Sequence, residues 1–144
     1  MDECKRLARE YGIKDKIIFY GRRPVEEMPK FYKMADACLL TLKDDTWIGR
    51  TIPAKLQGYM AAGKPVIGAI NGAAQQIIHE ADCGLCVSAG DFEALASSME
   101  KFIVQCSDFA EAGEKGRAYF AKHFTKKIHV QSIEKELFEM AGEK

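Results

Sequence analysis

The 144-residue sequence has no excess of either charge: 21 basic residues stand against 21 acidic ones. A balanced surface sets up no overall field to draw in nucleic acid or an anionic membrane, so no nucleic-acid partner is expected. Long apolar runs are also missing. No stretch approaches the roughly 18 apolar residues of a membrane span, and the opening MDECKRLARE lacks the apolar centre of a secretory signal. The expected location is therefore cytoplasmic. Cysteine occurs without a disulfide framework: the five residues, at positions 4, 38, 83, 86 and 106, are odd in number and suit a reducing compartment. Cys83 and Cys86 form a single CxxC with no second pair, a weak signal for zinc or redox chemistry, and no metal is expected. Both the G-x-x-x-x-G-K-[ST] and the G-x-G-x-x-G patterns are absent, which removes the P-loop and the dinucleotide fingerprint.

What is present reads as one soluble domain over residues 1–144, with 47% hydrophobic and 29% charged residues. Helix-like and strand-like segments alternate with short punctuation, the pattern of a parallel sheet covered by helices. Cys4, Leu7, Ala8 and Tyr11 recur at helical spacing before Gly12, and KIIFYG, ending at Gly21, predicts a first strand. RRPVEEMPKFYKMAD predicts a helix, and ACLLTL a second strand. Pro53 suits a first helical turn, where its missing N–H costs nothing, and Gly63 suits the stop. PVIGAI is apolar on both alternations and should lie buried on both faces, as central parallel strands do. A further helix over AAQQIIHEADCG leads to a fourth strand, LCVSAG; Asp91 can cap the helix that follows, and the chain from about Phe109 reads as helical. This order predicts a doubly wound α/β domain.

In such a sheet ligands bind beyond the carboxyl ends of the strands, where loops lead into helix N-termini. Arg50, Thr51 and Lys55 gather at the start of the helix after Pro53, and together with backbone N–H groups they outline an anion site. The competing reading is an ordinary solvated loop. Asp44 and Asp45 could meet hydroxyls and Trp47 a ring, or the same loop could simply be solvated. His79, His123 and His129 sit on helix-like segments, and Ser88 and Ser97 lack a base at a recognisable spacing, so the catalytic residues remain unassigned.

Two longer segments, IIFYGRRPVEEMPKFYKMADACLLTL and IPAKLQGYMAAGKPVIGAINGAAQQIIHEADCGLCVSAGD, resemble the C-terminal nucleotide-sugar-binding domain of retaining GT-B glycosyltransferases of the group 1, or family-four, type. The resemblance implies a Rossmann-like sheet and a hexosyltransferase-type parent enzyme. That enzyme would move sugar from a nucleoside diphosphate donor to a glycan or lipid-linked acceptor in polysaccharide biosynthesis, with no separate cofactor. It places Gly21 and Arg22 near the base, and Arg50, Thr51, Ile52 and Lys55 facing the diphosphate. Where the family often carries a pair of glutamates, this chain has Arg50 and Gly58. The family's domain also begins with two strands that have no counterpart after Met1, which implies an incomplete portion of a larger enzyme whose N-terminal domain holds the acceptor. The isolated chain is then not expected to turn over substrate. Its incomplete sheet invites self-association, and the parent is compatible with peripheral attachment at the inner membrane. The alternative is a noncatalytic α/β binding or interaction module derived from such an enzyme; an epimerase half would need acidic and histidine residues in the cleft that the sequence does not place there.

Overall fold

A computed structural model describes residues 2–43 and 51–142. The chain divides into two compact units, Met1–Lys30 and Phe31–Lys144.

The first unit opens with α1 (Asp2–Glu10), held on its surface by Arg6, which pairs with Glu3 and Glu10 one turn to either side. Gly12, at φ +65°, ends it, and a 3-10 turn follows at Lys14–Lys16. The strand expected at KIIFYG does not form: residues 17–21 belong to no sheet, and Ile18 is 73% exposed. The residue types are right for a strand, but a strand is stable only when neighbours take up its N–H and C=O groups. Among the described residues no strand pairs with this segment. A 3-10 turn at Val25–Glu27 runs into α2 (Met28–Met34), within which the division between the units falls.

The second unit holds the sheet. Its strands are β1 (Cys38–Thr41), β2 (Val66–Ala69) and β3 (Gly84–Val87), all parallel and in that order, with Cys38 opposite Val66 and Val66 opposite Gly84. Between and after them come α3 (Ala54–Ala61), α4 (Ala73–Glu80), α5 (Phe92–Val104), α6 (Ala112–His123) and α7 (Lys126–Gly142). β2 is buried at every position, as its two-sided apolar sequence requires, whereas β1 alternates buried and exposed.

Leu40, Val66 and Ile70 pack with Leu56 and Met60 of α3 and Ile77 and Ile78 of α4, so both helices cover one face and the core lies there. The other face is thinner. Leu39 and Ile67 meet Met99, Phe102 and Ile103 of α5 around a shallow groove, and Leu39 stays 47% exposed. α6 reaches the core because glycine lets backbones touch: a Cβ on Gly113 would stand 2.2 Å from the Gly63 carbonyl oxygen. Gly84 is likewise obligatory, since its φ is +151° and a Cβ there would fall 1.9 Å from the Val66 carbonyl oxygen.

Candidate functional site at the carboxyl end of the sheet

The carboxyl ends of the three strands are Thr41, Ala69 and Val87. The loops beyond β2 and β3 are tied together: the Ala89 N–H donates to Asn71 Oδ1 at 3.0 Å. Asn71-Gly72 is the turn its composition indicates, with Gly72 at φ +71° preceding α4. After β3, Asp91 caps α5 as its residue type predicts, its Oδ1 accepting from the Ala94 N–H at 2.9 Å.

A cleft of about 300 Å³ opens at this end, between Thr41 and Lys43 after β1, Ala69 of β2, and Asp91, Phe92 and Leu95 at the start of α5. Its walls are mainly apolar, with one hydroxyl, one ammonium and one carboxylate at the rim. Phe92 shares the helical spacing of the apolar residues of α5, yet it stands 76% exposed, and the cleft is what it borders. Nothing in the local sequence separates a residue that lines a cleft from one that fills a core, because both are apolar at the same period.

The expected anion site lies at the start of α3. Pro53, at φ −63° and ψ 133°, is the N-cap residue, one position earlier than the first helical position expected of it, and its own side chain offers no cap. The Leu56 N–H turns back to the Pro53 carbonyl at 2.9 Å. Thr51, Ile52 and Lys55, expected at this site, are all exposed at or just before the start of α3. Arg50, with Asp44, Asp45 and Trp47, lies outside the described residues. Gly21, at φ +71°, and Arg22 are exposed in the first unit, where the Arg23 side chain donates through Nε to the Tyr20 carbonyl at 3.1 Å.

Three of the five cysteines are poorly placed for nucleophilic chemistry. Cys83 is fully buried, and burial pushes its thiol up to about 11; Cys38 and Cys86 are raised for the same reason. Such thiols stay protonated at neutral pH and are weak nucleophiles. His79, His123 and His129 are exposed, with the His123 ring 4.3 Å from that of Tyr119.

The family profile described as "Glycosyl transferases group 1" matches residues 1–119. The chain belongs to the group 1 glycosyl transferases. Among solved structures it is similar to the sucrose-phosphate synthase (tll1590) from Thermosynechococcus elongatus, with a TM-score of 0.76 and 21% sequence identity over 96% of this chain. That likeness is one of fold, and it agrees with a C-terminal GT-B domain. The chain spans 34% of the length of that structure, about a third. No curated protein matches it. As a group 1 glycosyl transferase domain it is α/β, with three parallel strands flanked by helices, and no described helix is long and apolar enough to cross a membrane.

Proposed function

We propose that this chain supplies the donor-binding half of a group 1 glycosyltransferase, holding a nucleoside diphosphate sugar for transfer to a glycan or lipid-linked acceptor in polysaccharide biosynthesis in the cytoplasm. The observation that carries this reading is the exposed Thr51, Ile52 and Lys55 at the mouth of α3, in a chain whose first 119 residues match the family. A helix start concentrates partial positive charge, and Lys55 adds a full one within its first turn. An anion held there gains hydrogen bonds from backbone N–H groups. As the glycosidic bond breaks, charge accumulates on the departing diphosphate, and a preorganised cationic site stabilises it at that moment. Arg50 is assigned to the same phosphate group by its position in the sequence, and Gly21 and Arg22 to the base.

The alternative, a noncatalytic binding module, is favoured by Gly58, which offers no carboxylate where the family often has one. Titration of UDP, GDP and ADP, followed by backbone amide shifts, separates the two. Donor binding predicts shifts centred on Thr51–Lys55 and Gly21–Arg22 with one of the three nucleotides. Changing Arg50 and Lys55 together to Ala should then weaken binding by roughly 1 to 3 kcal/mol with little change in melting temperature. No perturbation by any nucleotide would defeat the reading.

A further inference from the structure

α1 carries its charges on two faces. Arg6 draws Glu3 and Glu10 to one of them, while Lys5, Ala8 and Arg9, at i, i+3 and i+4, share another. The helix closes in a Schellman turn: the Gly12 N–H donates to the Arg9 carbonyl at 3.1 Å, and the Ile13 N–H to the Ala8 carbonyl at 2.9 Å. Gly12, at φ +65°, turns the chain there, so that Lys14, Ile17 and Phe19 come to stand beside the Lys5 face. A hollow of about 280 Å³ lies between them, lined by Lys5, Ala8, Arg9, Lys14, Ile17 and Phe19, all within the first unit.

The lining is one-sided in charge. Half of it is cationic, none of it is a carboxylate, and the rest is apolar. Among the described residues none of the three cations pairs with a carboxylate, Glu3 and Glu10 of α1 being engaged by Arg6. Cations gathered without a counter-charge repel one another, so the hollow is short of an anion. Arg9 offers a planar fork to an oxyanion, and Lys5 and Lys14 add point charges. Ala8, Ile17 and Phe19 offer no side-chain hydrogen bond; Ile17 and Phe19, 39% and 36% exposed, gain only from being covered. A bare inorganic anion would leave the apolar half of the lining unused, and a neutral hydrocarbon the cationic half. We propose that the hollow between α1 and residues 14–19 binds a phosphate carried on an apolar group, an amphiphilic phosphomonoester whose anion meets Lys5, Arg9 and Lys14 and whose stem covers Ala8, Ile17 and Phe19. This site shares no residue with the proposed donor site, so the two stand or fall separately.

Titration of the intact chain with hexyl phosphate at neutral pH, followed by backbone amide shifts, tests this. The shifts should centre on residues 5–19, and hexyl phosphate should bind about tenfold tighter than inorganic phosphate, the worth of roughly two buried methylene groups. Lys5→Gln and Arg9→Gln together, both at exposed positions where the fold tolerates change, should weaken hexyl phosphate by about tenfold, the scale of a charge-assisted hydrogen bond. Lys16→Gln removes a charge from outside the lining and should leave the affinity nearly unchanged. Co-sedimentation with phosphatidylcholine vesicles carrying phosphatidic acid separates two sources of the same chemistry. Retention that the double variant loses assigns the phosphate to a lipid headgroup; hexyl phosphate binding without retention assigns it to a free phosphomonoester. Four results would overturn the proposal: no shift within residues 5–19, inorganic phosphate binding as tightly as hexyl phosphate, a double variant that binds like the parent, or Lys16→Gln weakening binding as much as the double variant does.

Discussion

Ile17-Ile18-Phe19-Tyr20 and Val66-Ile67-Gly68-Ala69 make an instructive pair. Both are short apolar runs followed by turn residues, yet the first lies outside any sheet with Ile18 largely exposed, and the second is the buried centre of one. What separates them is neighbours. β2 has a strand on each side and helices on both faces, so every backbone group is taken up and every side chain is covered. The first segment has the side chains of a strand without the ladder.

The largest expected effect lies in the well-neighboured region. Ile78→Ala, at a fully buried site packed under β2, should cost roughly 2 to 5 kcal/mol in urea unfolding, through lost transfer energy and the cavity left behind. A smaller effect comes from pH. The Cys83 thiol is raised from 9.0 to about 11 by burial, so the folded chain keeps a proton that the unfolded chain gives up. Stability from this site should be complete below about pH 9 and fall by roughly 2 to 3 kcal/mol as pH rises to about 11. Cys83→Ala should flatten that decline in a series of melting curves. At the bottom of the scale, Ile18→Ala should change stability by less than about 0.5 kcal/mol. A loss approaching that of Ile78→Ala would mean that the exposed segment is packed in solution, and the contrast between the two runs would fall.

Much of the second unit was legible in the sequence because each local signal agreed with its surroundings. The two-sided apolar run became β2, Asp91 became a cap, and Gly63 closed α3 at φ +65°. The strand at Ile17 misled because composition reports what a segment can form, while pairing depends on residues far away in the chain. The helical stripe of α5 was correct as a helix, yet Phe92 and Ile103 remain exposed because periodicity does not say how much surface faces a helix. At the candidate site, residue type beside a helix start pointed to Thr51 and Lys55, and both stand exposed there.

The bond between Asn71 and Ala89 bears on how any titration is interpreted. Because one side-chain oxygen bridges the loops after β2 and β3, a disturbance at either is passed to the other. The Ala89 amide would then act as a relay, answering to events beside Asn71 without itself meeting a ligand. Asn71→Ala, which cuts that link, would turn the two loops into independent probes and let a map of the site distinguish touch from hearsay.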